Sequence, residues 1–424
     1  MSRRSILFVF FVVTCSNVFG EEKRVAVGKC LSPTGMIVRR EKGNAAWQVV
    51  RIAEPIFTED LLLALPLGVL RFDNDMRMSF LADMDGRSPF PAIDSAVRIH
   101  ANKEVDLDFT LDRGRVAFSN VKKRGAAKVL VRFHDQVWAV NLKEPNTRVA
   151  VEIYGRCPRG AIFSRDGKNS HSPVFDAVVI VMTGRAAVRI GNEEHLLHPP
   201  PKLCFLHWDS IDGAETPRRL PKLPDWSEPD DLGKLKVGLK FRQKIQRLQQ
   251  FRKLVVGQSV SAAVETFLES NDPAKRRFAV YAAAAADDLR HLTQALNQPK
   301  DTDLCEDAVR AVRHWLGRAP GQDLRLYRHL TTAEKFKPSH AETIVQLAHS
   351  FAAEDIRQPA TYELLTAYLR HDVTAIRVLA YWHLYRLVPK GRDIKYDPLG
   401  DKETIEAGYK AWKKLIPDGQ LPPT

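Results

Sequence analysis

Five cysteines in 424 residues, at positions 15, 30, 157, 204 and 305, are too few and too scattered for a disulfide-stapled scaffold. No CxxC pair or zinc-like spacing joins them, which excludes the common cysteine-based metal modules. Cys30, Cys157, Cys204 and Cys305 allow three disulfide connectivities in an oxidising compartment, and buried free thiols explain them as well. Beyond the N-terminus no apolar run approaches 18 residues, so no membrane-spanning helix is expected. Also missing are a G-x-S-x-G elbow, a P-loop, an H-E-x-x-H pair and a Gly-rich dinucleotide fingerprint; no cofactor or enzymatic activity is expected. Acid is scarce as well: 51 Asp and Glu face 64 Lys and Arg, leaving a net charge of +13. Such a balance suits anionic partners, or solubility alone if the charge is spread thinly.

What is present begins with "MSRRSILFVFFVVTCSNVFGEEK". Arg3 and Arg4 lead an uncharged stretch from Ser5 to Val13, and Val18 and Gly20 stand at −3 and −1 of a cleavage before Glu21. A basic head, a short apolar middle and a small residue at the cut describe a secretory signal peptide over residues 1–20. The expected location is the periplasm or the extracellular space. Lipid attachment at Cys15 is disfavoured, because Thr14 stands where lipoprotein signals carry Gly, Ala or Ser.

From Met36 to about Trp208, short runs such as "RMSFLAD", "KVLVRF", "VWAVNL" and "FDAVVIVMTG" are rich in Val, Ile, Phe and Thr and are separated by turn residues. In "VDLDFTLDRGRVAFSN" Val105, Leu107, Phe109 and Leu111 share one face, and Asp106, Asp108 and Thr110 share the solvent face. Asp112–Gly114 reads as a turn into a return strand with Val116 and Phe118. The fold class expected is multidomain, β then α, opening with an antiparallel β sandwich or roll.

The opening "GMIVRREKGNAAWQVVRIAEPIFTEDLLLALP", with Gly35, Trp47 and Asp60, resembles the start of FecR-type extracytoplasmic β domains. "LDRGRVAFSN" and "VVIVMTGRAAVRIGNEEHLL", with Gly184, resemble later segments of that family, so the likeness spans about residues 33–210. "RFDNDMRMSF", with Asn74-Asp75-Met76, departs from the family's usual "L-x-DGS" turn. The resemblance implies signal sensing or a structural envelope role without catalysis.

Proline is dense in 199–233, and residues 211–257 read as a Pro-rich linker followed by a basic amphipathic helix. Phe241, Ile245, Leu248 and Val255 fall near helical spacing, while Lys234, Lys236, Lys240, Arg242, Lys244, Arg247, Arg252 and Lys253 occur without one acid. Of these, Lys240, Arg242, Lys244, Arg247, Arg252 and Lys253 are the candidate contacts to an anionic membrane surface or polyanion. The competing reading lays the apolar face on the following helices and leaves the charges to water. Nucleic acid is not an expected partner, since export separates the two and no aromatic-interleaved motif accompanies the charge.

From about Gln258 the spacing is helical, in "VSAAVETFLES", "PAKRRFAVYAAAAADDLRHLTQAL", "LCEDAVRAVRHWLG", "AETIVQLAHSFA", "ATYELLTAYLR" and "VTAIRVLAYWHLYRLV". "NDPAKRRFAVYA" and "HDVTAIRVLAYW" match at an offset of about 100, pairing Asp272 with Asp372, Arg277 with Arg377 and Tyr281 with Tyr381. Asp303 and Ser339 mark further helix starts. The pattern resembles degenerate HEAT-like repeats over residues 258–424, a short α-solenoid in which the aspartates cap helices.

Three clusters invite chemistry. His195 and His198 in "EEHLLH" could face a metal on a helix, but a strand would point them apart and no third ligand accompanies them. Asp73, Asp75, Asp83, Asp85, Asp106, Asp108 and Asp112 are the candidates for paired carboxylates of a glycoside hydrolase, or for surface decoration of strands. In "HDVTAIRVLAYWHLYRLV" Ile376, Val378, Leu379 and Leu384 read as core positions, so its polar and aromatic groups belong to a repeat unit. The expectation is an exported, non-enzymatic envelope protein that binds or scaffolds a protein or envelope polymer, with a carbohydrate-active or carbohydrate-binding protein as the alternative.

Overall fold

A computed structural model describes residues 24–81, 94–166, 171–224 and 239–423. The segment read as a signal peptide, with Gly20, Glu21 and Cys15, lies outside them, as do Asp83 and Asp85. The chain is β then α, as the sequence predicts. One layer of strands runs in the order β4 (Pro55–Phe57), β1 (Ala26–Cys30), β6 (Val69–Phe72), β7 (Met76–Phe80), β9 (Leu107–Asn120), β12 (Arg148–Arg156), β13 (Val174–Thr183) and β16 (Leu203–Asp209). The other runs β3 (Gln48–Val49), β2 (Ile37–Arg40), β5 (Leu61–Ala64), β8 (Ser95–Ile99), β9 again, β10 (Ala127–Phe133), β11 (Gln136–Leu142), β14 (Ala186–Ile190) and β15 (Glu193–Leu197). All pairs are antiparallel except β9 with β10.

The expected turn at Asp112–Gly114 is absent. β9 is one strand that leaves one layer and enters the other: Phe109–Arg113 pair with β8, and Gly114–Ser119 pair with β12. Gly114 has φ +85°, and a Cβ there would lie 1.8 Å from the Asp94 carbonyl oxygen. Only glycine allows both the left-handed kink and that approach. The local signal of a turn is therefore real, but the chain uses it to bend a strand rather than to reverse it.

A common apolar core fills the space between the layers, with Leu70, Met76 and Phe80 from one and Ile37, Leu62 and Ile99 from the other. β5 reads Leu-Leu-Leu-Ala and is buried throughout, which is the mark of a strand covered on both faces. Leu62 and Ala64 enter the sandwich core, whereas Leu61 and Leu63, with Val38 and Ala96, join the helical core. The helices thus form a third layer on the strands.

The helical part comprises α1 (Leu239–Gly257), α2 (Val260–Leu268), α3 (Pro273–Ala285), α4 (Leu289–Asn297), α5 (Thr302–Leu316), α6 (Gln322–Thr332), α7 (Pro338–Ala348), α8 (Pro359–Tyr368), α9 (Thr374–Leu387) and α10 (Lys402–Leu415). The run read as a single helix over 273–296 breaks at Asp287, which has φ 60°, and Asp288 caps α4 through the His291 N–H. α6 follows α5 across the turn at residues 317–321, with Gly321 as its N-cap residue. Asp272 caps α3 as expected, accepting from the Ala274 N–H.

Asp372 does not cap α9. Val373 is the N-cap residue there, and the His371 ring accepts its N–H at 3.0 Å. Asp303 lies inside the first turn of α5, whose cap is Asp301, and Ser339 lies inside α7, whose N-cap residue is Lys337. The matching arginines are likewise Arg276 and Arg377, each four residues past its N-cap residue and each donating to the carbonyl six residues before it, Ser270 or His371. By these bonds the two helix starts align at an offset of 101 positions, whereas the letters align at 100 because adjacent arginines occur at 276 and 277.

The strands also run on into the stretch read as linker, where β17 (Gly213–Ala214) and β18 (Arg218–Arg219) pair with β16 and extend the first layer. All four described cysteines are free thiols.

Candidate ligand-binding cleft

A cleft of about 190 Å³ lies between α5 and α9, lined by Cys305, Glu306, Tyr381, Trp382, Tyr385 and Arg386 with Thr302, Val378 and Pro398. Its frame is over-determined. Asp301 accepts from the Leu304 N–H at the start of α5 and is gripped in turn by Arg276. Arg377 is buried; it donates to the His371 and Asp372 carbonyls and, through Nε, to Pro398 O at 2.9 Å. That last bond holds the Pro398 wall of the cleft against α9.

Three aromatic rings shape the interior. Tyr381 packs on Tyr396 and Trp412 with ring centroids 5.0 and 6.5 Å away. Trp382 carries the Arg386 guanidinium at 4.0 Å from its ring centroid and that of Arg313 at 4.7 Å. Tyr385 is 41 % exposed and forms the outer lip. Burial raises the Tyr381 hydroxyl above its ordinary pKa, so it stays protonated at neutral pH.

Glu306 is the single acid of the lining. Arg310 and Arg386 both donate to its Oε1, at 2.7 and 2.8 Å, while Oε2 accepts no hydrogen bond among the described residues. Partial burial works against the charge, but Arg386 and Arg310 hold the carboxyl below its ordinary value. The Cys305 thiol is pushed up to about 12, first by burial and then by Asp301 and Asp397. A thiol so far from ionising is no nucleophile. The cleft offers ring faces, hydroxyls, one ionised carboxylate and one guanidinium, that of Arg386, which is equipment for binding.

The other candidates are placed apart. His195 lies on β15 within 3.5 Å of Glu193, and no group of three or more His, Cys, Asp or Glu among the described residues could hold a metal. Asp73 is exposed, while Asp75 and Asp112 are paired with Arg71 and Arg113. Asp106 is paired with Lys122 at 2.7 Å. Asp108 is buried, contrary to the alternation: Arg132 on the parallel neighbour donates two bonds to it, at 2.7 and 2.9 Å, and Asn102 a third. His371 and His383 serve separate purposes, His371 at the start of α9 and His383 donating to Leu347 O at 2.7 Å.

On the basic helix, Leu248, Phe251 and Val255 enter the helical core. Arg252 donates to the Thr34 carbonyl at 2.9 Å, so it ties α1 to the strands; Lys253 is exposed and Arg247 half-buried. The side chains of Lys240, Arg242 and Lys244 lie outside the description.

A second cluster escaped the sequence reading altogether. Asp94, fully buried, receives Arg113 from β9, Arg318 at 3.0 Å and the His314 ring at 3.2 Å. Asp287 adds a second carboxylate within 3.6 Å of Arg318 and accepts from the Trp315 indole. Burial opposes the charge on Asp94, yet Arg318 and Arg113 hold its carboxyl well below the usual carboxylate range. This cluster, with Trp47 Nε1 donating to Ala286 O and Arg113 to Ala285 O, locks the strands to the helices. It is a structural clamp. The signal that could have found the cleft is the spacing of Glu306, Arg310 and Arg313 along one side of α5; nothing local marks Asp94.

No family model, no curated protein and no solved structure matches this chain.

Proposed function

We propose that the chain is an exported, non-enzymatic envelope protein that binds or scaffolds another macromolecule, with the α5–α9 cleft as its contact point. The observation that carries this reading is the cleft itself: rings, an ionised carboxylate and the Arg386 guanidinium line an open space, fixed from behind by Arg377 and Asp301. Pockets with mostly apolar walls and a few placed polar groups are the usual form of binding sites. The leader sequence supports export, and Arg247 and Lys253 on α1 are available for a membrane surface or polyanion. A gentle co-purification of the mature chain from envelope extract tests the proposal. A component retained by the native chain and lost with Tyr385→Ala is expected; recovery of the protein alone would remove the proposal's support.

A further inference from the structure

We infer that the cleft takes one saccharide ring of a glycan. This rests on its reading as a binding site and adds the chemical class of the occupant. At about 190 Å³ the space is below the range of sites for drug-sized ligands and suits one ring or one side chain of a longer molecule. Its lining is of two kinds. Tyr381, Tyr385, Val378 and Pro398 give carbon surfaces, while Glu306 and Arg386 give an acceptor and a donor beside them. A sugar ring presents the same division, with C–H faces and a hydroxyl rim.

Three details select this class. The Oε2 of Glu306 is free to accept a hydroxyl, because both arginines use Oε1. Neither the Tyr381 nor the Tyr385 hydroxyl has a hydrogen-bond partner among the described residues, so each can serve a ligand. And three guanidiniums, Arg310 and Arg386 beside Glu306 and Arg313 with the same Arg386 over Trp382, stand around the cleft, so an ammonium would enter a place already crowded with positive charge. A purely apolar side chain would strip water from Glu306 and Arg386 without replacing its hydrogen bonds, which is costly. A neutral or carboxylated sugar ring meets none of these objections.

The test uses the full mature chain titrated with chitopentaose, cellopentaose, a pentameric galacturonate and soluble peptidoglycan fragments, followed by calorimetry and tryptophan fluorescence. At least one probe is expected to bind. Glu306→Gln and Tyr385→Ala should each weaken that binding about tenfold or more, and Trp382→Phe should remove much of the fluorescence response. Thermal melts of the variants establish that they fold; Tyr385 and Glu306 are exposed enough for this to be expected. Binding confined to the galacturonate assigns the Arg386 edge to a sugar carboxylate and supports the inference. If no probe binds, or if both variants bind as the native chain does, the inference is overturned. An extract component still lost with Tyr385→Ala would then leave the binding proposal standing without the sugar, whereas loss of neither would remove both.

Discussion

Asp94 and Arg318 lie 3.0 Å apart across 224 residues of sequence, the carboxylate from the start of β8 and the guanidinium from the end of α5. Around that bond Arg113 and His314 close a buried group that belongs to neither the strands nor the helices alone. The molecule is clamped by charge at the place where its layers meet. Such a cluster contributes little over an apolar replacement, but it is unforgiving when one member is removed.

Asp94→Asn should therefore cost about 3 to 5 kcal/mol, because Arg113 and Arg318 remain buried without their counter-charge. Urea unfolding followed by circular dichroism and by tryptophan fluorescence measures it. The two signals should separate in the variant as strands and helices lose their clamp. A shift under about 1 kcal/mol, the level expected of an exposed ion pair, would show that the clamp is not what joins them.

Gly114→Ala should prevent the sandwich from forming. The left-handed backbone alone costs about 1 to 2 kcal/mol for a residue with a side chain, and the added carbon would lie 1.8 Å from a backbone oxygen that cannot retreat cheaply. Insoluble expression or a lost β signature is the expected result, whereas Gly125→Ala, at a site with nothing within 4 Å, should remain foldable.

Acid should loosen the helical layer before it reaches the carboxylates. Burial lowers His349 and His383 to about 4, with Arg313 near both, Arg386 adding to the effect on His383, and Asp323 only partly offsetting it for His349. Both are neutral in the fold, while the unfolded chain protonates them near 6.5. Stability is complete above about pH 6.5 and falls as pH drops toward 4, by up to about 1.4 kcal/mol per pH unit for each histidine. Melting temperature measured from pH 7 to 4.5 should decline, and His383→Gln should flatten the slope. An unchanged slope would remove His383 from the account.

Thiol titration separates the free cysteines from any disulfide. Cys157 is pushed up to about 11 and Cys305 to about 12, both first by burial, and Cys30 and Cys204 are raised by burial too. Iodoacetamide at pH 8 should modify Cys30, Cys157, Cys204 and Cys305 slowly in the native chain and all four in the unfolded chain without reductant, read by mass spectrometry. Modification at only two would indicate a disulfide.

Along α1 the basic residues should divide. Arg252→Ala removes a charged hydrogen bond to Thr34 O and should cost about 1 to 2 kcal/mol. Lys253→Ala, at an exposed position, should stay within about 0.5 kcal/mol of the native chain. Equal effects in thermal or urea unfolding would argue that Arg252 is as idle as its neighbour.

Local signals revealed the β-then-α order, many of the strands and the inward faces of α1 and α9, because period and composition are set residue by residue. Local sequence is silent where a distant partner decides the outcome. Asp108 alternates like a surface residue but is buried by Arg132, which β10 delivers through the parallel pairing with β9. The turn residues at Asp112–Gly114 looked like a reversal, since nothing nearby reveals that β12 waits to continue the strand. Asp372 has the chemistry of a cap, yet the Ala375 N–H that such a cap would hold goes to Asn297 at the end of α4. The aromatic residues of α9 were legible as a group. That they would face Glu306 and leave a cleft depended on how α5 and α9 pack, which no single helix records.

The clamp also imposes an order in time. Strand β8 leaves the ribosome long before the end of α5, and at roughly 5 to 20 residues per second the interval between Asp94 and Arg318 is on the order of ten to forty seconds. Throughout it Asp94 has only Arg113 of its eventual partners, and Val38, Leu61, Leu63 and Ala96 have no helices to cover them. The early strands thus pass through a sticky, half-neutralised stage that only the later chain can end. A polypeptide halted before Arg318 would be a strong client for any chaperone that holds exposed leucine.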